Sequence, residues 1–283
     1  MNESVISLFV LTSLIFFIFG AAIGSFLNVV ILRFGSGKDL SGRSFCPDCK
    51  HQLGVLDLVP IFSYIYLQGK CRYCHKKISE QYPLVELASA LTFVCAFLFV
   101  GSSLLGVSNS ENVFGTWFGF SYLLFFSSVL LVLSVFDLKK GIIPDKILLP
   151  SILIATIFLL LSSLTRENDV FEVLRLVTLD LFATFAVAVF FLLLIVVTKG
   201  RGMGGGDFKL SIFIGLSLGW PLAFVGIFLG FLTGALAAVM LILVGKKGFG
   251  QTIPFGPFLA LGAYLSAIVG SQLLEMYLNT LGL

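Results

Sequence analysis

Charge is scarce in this chain. Asp, Glu, Lys and Arg make up 12% of its 283 residues, against 58% hydrophobic residues. That balance excludes a soluble globular domain of this size and places the chain in a bilayer. The start also lacks a basic segment: Glu3 precedes an uncharged run from Ser4 to Leu32. This run is too long for a cleavable signal peptide and exceeds the roughly 20 apolar residues that cross a hydrocarbon core, so it reads as a retained spanning helix.

Further low-charge runs cover about Pro83 to Val107, Phe114 to Phe136, Ile147 to Thr165, Leu176 to Thr198, Leu222 to Val244 and Thr252 to Leu274. Between Lys209 and Lys246 lie 36 uncharged residues. As one helix they would rise about 54 Å, against a hydrocarbon core of about 30 Å. Gly219, Trp220 and Pro221 supply a break and an interfacial aromatic, so a short sixth helix precedes them and a seventh follows. The expected fold is an all-α polytopic membrane protein of about eight transmembrane helices with a small cytoplasmic zinc-binding loop domain.

Basic residues set the orientation, because loops on the cytoplasmic side hold most Lys and Arg. The loop after the first helix carries Arg33, Lys38, Arg43, Lys50, Lys70, Arg72, Lys76 and Lys77. Lys139, Lys140 and Lys146, then Lys199, Arg201 and Lys209, then Lys246 and Lys247 fall on the same side, making 16 of 18 basic residues. Arg166 and Arg175 lie opposite. Both termini therefore face outward and the first loop is cytoplasmic. The net charge of +3 reflects this topology and calls for no nucleic-acid partner.

That loop holds four of the five cysteines, as Cys46-Pro-Asp-Cys49 and Cys71-Arg-Tyr-Cys74, with 21 residues between the pairs. Two such knuckles in a reducing compartment point to a closed structural zinc site, which would staple a segment too small to fold on its own core. Free or redox-active thiols are the alternative, and the strand-helix context of a thioredoxin-type motif is absent. Cys95 reads as a small core residue. His51 and His75, each just beyond a knuckle, read as solvated loop residues.

Acids touching spanning segments are functional candidates by default. Glu86, Asp137, Asp180 and Asp207 qualify. Asp137 ends the third helix and Asp207 follows Gly202-Met-Gly-Gly-Gly at the start of the sixth, so both reach the cytoplasmic face. If those helices adjoin, the two carboxylates converge, share one proton and form an aspartyl-protease pair: one activates water, the other polarises the scissile carbonyl. The glycines, Gly204 and Gly206 among them, let a peptide backbone approach. Competing readings make Asp207 an N-cap, Asp137 a partner of Lys139 or Lys140, and the acids the coupling groups of an ion-driven transporter. Asp180 reads as structural, and Glu86 as structural or substrate-binding.

Several segments together resemble one family. They are Gly24-Ser-Phe-Leu-Asn-Val-Val-Ile-Leu-Arg33, the first knuckle, Pro60 through Cys71, Tyr82-Pro-Leu-Val-Glu86, Asp137 with Ile143-Pro-Asp145, Gly202-Met-Gly-Gly-Gly-Asp207-Phe-Lys-Leu210 and Pro254-Phe-Gly-Pro-Phe258. In this order they resemble the type IV prepilin peptidases, also called leader peptidase and N-methyltransferase enzymes. The resemblance implies cleavage of prepilins or pseudopilins after a Gly that ends a short basic leader, by Asp137 and Asp207 in the bacterial inner membrane. It also implies N-methylation of the new N-terminal residue by S-adenosylmethionine, although no separate nucleotide-binding fingerprint is present and Gln68 stands where many members carry Arg. Asp145, Gly204, Gly206 and Lys209 become supporting residues, and Cys46, Cys49, Cys71 and Cys74 the metal ligands. The implied organisation is a first transmembrane helix (1–32), a cytoplasmic tetracysteine domain (33–82) and a GxGD-type aspartyl peptidase domain (83–283).

Overall fold

The computed structural model describes residues 3–35, 40, 42–101, 113–167, 169–200, 203–245 and 253–282. Lys38, Gly202, Arg201, Lys246, Lys247, Thr252 and the end of the second apolar run at Val107 lie outside the described residues. Among the described residues the regular structure is helical, with two isolated β-bridges and no strand. The chain divides into two compact units, Met1–Leu105 and Gly106–Leu283.

In the first unit, α1 (Glu3–Gly35) packs along α3 (Gln81–Ala96), which runs on into a π-helical turn, Phe97–Gly101. Small residues allow the close approach typical of helices in lipid. A Cβ on Gly24 would stand 2.7 Å from the Glu86 Cα, so the backbones can meet only because it is absent. Phe16 stacks on Phe97 with ring centroids 5.0 Å apart. Between the two helices lie a single 3-10 turn, Val55–Asp57, the short helix α2 (Phe62–Tyr66) and the two cysteine knuckles.

The second unit contains α4 (Val113–Lys140), α5 (Asp145–Arg166), α6 (Val170–Val197), α7 (Gly205–Leu218), α8 (Leu222–Leu243) and α9 (Gly256–Leu281). The α7 helix is the hub: it packs on α5, α6, α8 and α9, while α9 also lies along α4. α4 and α7 meet through side chains, with the Tyr122 hydroxyl 2.8 Å from Ser217 Oγ and the Phe126 and Phe213 rings 5.4 Å apart. Tyr122 also stacks flat on Phe158 of α5 at 3.7 Å.

Among the described residues, seven helices are long and apolar enough to cross a membrane. α7 is the short sixth helix expected before the Gly219–Pro221 break, and its 14 residues rise only about 21 Å, short of a full crossing. Its end falls at the anticipated break. Gly219 takes a left-handed φ of 65°, and α8 resumes at Leu222 after Trp220 and Pro221. Asp180 Oδ1 on α6 accepts the Trp220 backbone N–H at 2.7 Å, so this acid holds the chain reversal and its structural reading stands.

Candidate active site and cysteine centre

Asp137 lies three residues before the end of α4, where the uncharged run gives way to Lys139 and Lys140. Its side chain is buried, and its Oδ2 accepts the backbone N–H of Gly256 at 2.9 Å. Gly256 is the first residue of α9, so Asp137 occupies the position where a helix N-terminus offers an unpaired amide to an anion. The helix start can come this close only at glycine: a Cβ there would lie 2.6 Å from the same carboxylate oxygen.

Asp207 is the third residue of α7. Its carboxylate is buried and closes a capping box, accepting the Gly204 N–H at 3.4 Å. Asp207 is therefore not the N-cap, a place held by Gly204, although its carboxylate does engage an amide at the helix start. That bond does not exhaust the residue's surroundings, because Asp137 lies within electrostatic reach of Asp207. The antiparallel course of α4 and α7, joined at Tyr122–Ser217, carries the end of one helix to the start of the other.

The other anticipated positions gather around the same helix starts. Asp145 begins α5, and its Oδ1 takes Lys209 Nζ of α7 at 2.7 Å in an ion pair that remains half exposed. Gly204 supplies the N-cap amide to Asp207. A Cβ on Gly206 would stand 3.2 Å from Ile143 Cγ1, so its small size seats the α4–α5 turn against α7. Gly256 had no assigned role in the sequence. Its only signal was a place in the Pro254–Phe258 segment beside a helix start.

In the first unit, Glu86 is buried on α3, and its Oε2 accepts the backbone N–H of Ile61 at 2.7 Å. Asn28 on α1 is fully enclosed; its Nδ2 donates to the Tyr82 carbonyl at 3.0 Å and its Oδ1 accepts from Gln81 Nε2 at 3.3 Å. The Asn28 bonds tie α1 to the start of α3, and the Glu86 bond ties α3 to the intervening loop, a structural role for Glu86.

The two knuckles are built alike. Cys46 N–H donates to the His51 carbonyl and Cys71 N–H to the Lys76 carbonyl, each at 2.9 Å, and the turns close through left-handed residues at Lys50 (φ 59°) and His75 (φ 57°). Bridges Phe45–Gln52 and Lys70–Lys77 flank them. The four Sγ atoms of Cys46, Cys49, Cys71 and Cys74 all lie within 4.8 Å of one another. Cys46 and Cys74 are 3.9 Å apart, too far for a disulfide and close to the roughly 3.8 Å edge of a tetrahedron with metal–sulfur bonds of about 2.3 Å. Burial opposes ionisation of Cys46, but the Cys49 and Asp48 backbone amides and the adjacent thiols hold it at about 7. The Lys76 amide favours the Cys74 thiolate, yet burial and the three neighbouring sulfurs push it up to about 11. Four thiolates cannot coexist here without a cation, and the donor set suits a soft divalent ion. His51 lies tilted against Tyr73 with centroids 3.6 Å apart, and it is not part of the thiol cluster.

The fold is that of a multi-pass, all-helical membrane protein bearing a thiol-rich module between two of its spans. Residues 18–100 match the bacterial peptidase A24 N-terminal domain, and residues 124–239 match the type IV leader peptidase family. Proteins named prepilin leader peptidase/N-methyltransferase are similar over nearly the whole chain. The one from Aeromonas hydrophila is 32% identical, covering 93% of this chain and 92% of its own. That from Pseudomonas aeruginosa is 31% identical over 93% and 92%, and that from Bacillus subtilis 31% over 94% and 97%. No solved structure matches the chain significantly. The chain therefore belongs to the prepilin leader peptidase/N-methyltransferase family, a family of aspartic peptidases.

Proposed function

We propose that this enzyme cleaves the basic leader from type IV prepilins or related pseudopilins, after the glycine that ends the leader, with Asp137 and Asp207 as the catalytic pair. The observation that carries this reading is the placement of two buried carboxylates, within electrostatic reach of each other, at the end of α4 and the start of α7. Each carboxylate has one oxygen engaged by a backbone amide, Gly256 for Asp137 and Gly204 for Asp207. The remaining oxygens are available to hold one proton between them. The ionised member takes a proton from the attacking water, and the protonated member donates to the scissile carbonyl as the tetrahedral centre forms. The proton taken from water then passes to the leaving amine while the other carboxylate takes back the hydroxyl proton of the collapsing tetrahedral centre, so that the new carboxyl product leaves and the pair is again singly protonated.

Asp145, Gly204, Gly206 and Lys209 act as positioning residues in this scheme. The Asp145–Lys209 ion pair pins α5 to α7 beside the second aspartate. The excess of basic residues in the segments at this end of the bundle supports an orientation with this end at the cytoplasmic face of the inner membrane and both termini outward. Residues 1–32 then serve as the first span, 33–82 as the cytoplasmic tetracysteine module and 83–283 as the peptidase region. Cys46, Cys49, Cys71 and Cys74 would hold zinc as a structural ion. The names of the relatives extend the reading to N-methylation of the new N-terminal amine. S-adenosylmethionine would supply the methyl group, and no residue of this chain is assigned to hold it.

The test is processing of a purified prepilin in proteoliposomes by the wild type, Asp137→Asn and Asp207→Asn, each confirmed as membrane-inserted. Loss of cleavage in both supports the pair, and full activity in either removes that residue from the reaction.

A further inference from the structure

The loop between α1 and α3 carries an apolar surface that its own fold does not use. Val55 is 83% exposed, Phe62 72% and Tyr66 81%, and Leu56, Val59 and Ile65 join them. Along α2 the division is sharp. Ile61, Ser63, Tyr64 and Leu67 are half-buried, with the Tyr64 ring against Gly69, whereas Phe62, Ile65 and Tyr66 stand outward at helical spacing. In water this surface would be an aggregation liability.

Two anchors set its depth. From the membrane side, Glu86, five residues inside the spanning helix α3, accepts the Ile61 N–H at 2.7 Å. The start of α2 is thereby pinned against a residue of the span, and Ile61 adopts a left-handed φ of 64°, unfavourable for a β-branched side chain, to make that contact. From the module side, Asp57 is buried and bound three ways: to Arg72 Nε at 2.7 Å, to the Tyr73 hydroxyl at 3.3 Å and to the Gly54 N–H at 3.1 Å. Arg72 and Tyr73 lie between the second pair of cysteines, so the polar side of the Val55–Asp57 turn is held by the knuckle while its apolar side chains are left facing away. Of the basic residues of the same module, Arg72 and Lys76 are held by Asp57 and Asp48, and exposed Lys70 supplies positive charge suited to anionic headgroups.

We infer that Val55–Tyr66 is an interfacial segment, inserted in the headgroup and upper acyl region of the bilayer, and that the module is a monotopic element docked on lipid. The occupant of the apolar surface is the bilayer itself, because the surface is fixed to the end of a spanning helix and carries aliphatic and aromatic side chains without an acid among them. This inference is independent of the roles of Asp137 and Asp207.

The test uses the full chain in proteoliposomes containing phosphatidylcholine brominated at mid-chain. Phe62→Trp and Tyr66→Trp each place an indole on the surface, Lys77→Trp places one on the exposed knuckle, and the parent supplies the background of Trp117 and Trp220. The added emission at positions 62 and 66 is expected to be mostly quenched by the brominated lipid and protected from aqueous iodide, with the reverse at position 77. Iodide quenching without lipid quenching at both 62 and 66 would overturn the inference. Protection that arises only on adding a prepilin would also overturn it and assign the surface to the substrate. Agreement between two independent positions guards against a single misfolded variant.

Discussion

Asp137 on α4 and Gly256 at the start of α9, 119 residues apart, are joined by a 2.9 Å hydrogen bond from the glycine amide to Oδ2. The same oxygen would be 2.6 Å from a Cβ at position 256. Gly256→Ala must therefore displace either the aspartate or the helix start. A misplacement of about 1 Å in catalytic geometry costs about 100-fold in rate, and that loss is the expected effect on prepilin cleavage, with membrane insertion preserved. A rate equal to wild type would show that this contact does not position the carboxylate.

If the two aspartates act as one unit, their losses do not add. Asp137→Asn and Asp207→Asn should each lower the cleavage rate by at least about a thousandfold, and the double variant should be no worse than the weaker single. Single-turnover cleavage measures this directly. Additive losses would mean two separate roles.

The Asp145–Lys209 pair is short at 2.7 Å but exposed at both ends. Such pairs contribute at most about 1 kcal/mol and are screened by salt. Asp145→Asn should lower the thermal midpoint only slightly and cleavage by a few-fold. The exchange Asp145→Lys with Lys209→Asp should recover part of the lost cleavage. A collapse of activity on the single change would give Asp145 a direct chemical role.

Loss of the metal should be local. Cys71→Ser, or treatment with a strong chelator, is expected to lower bound zinc from one ion per chain to near none and to open residues 42–80 to limited proteolysis, while α4–α9 stay protected. Mass spectrometry of the fragments locates the cuts. Unchanged proteolysis in the chelated protein would mean that the module is held by contacts such as Asp57–Arg72 alone.

Much of the fold was legible because a bilayer imposes long apolar runs, and charges punctuate them one by one. The four cysteines were legible for a similar reason: a knuckle is a local object, and its spacing survives in the primary order. The helix break at Gly219–Pro221 and the two buried aspartates could also be marked, since glycine, proline and intramembrane acid are each locally unfavourable without a reason.

What the sequence by itself determined was the inventory: seven full-length apolar helices and one short one, a thiol quartet, and acids at the ends of particular helices. Only the tertiary structure decided which backbone amides those acids meet. Gly256 for Asp137, Ile61 for Glu86 and Trp220 for Asp180 follow no periodicity, because each partner lies on another element and is chosen by how the helices pack. A buried carboxylate must find a donor somewhere, but packing, which no local pattern encodes, selects the one it finds.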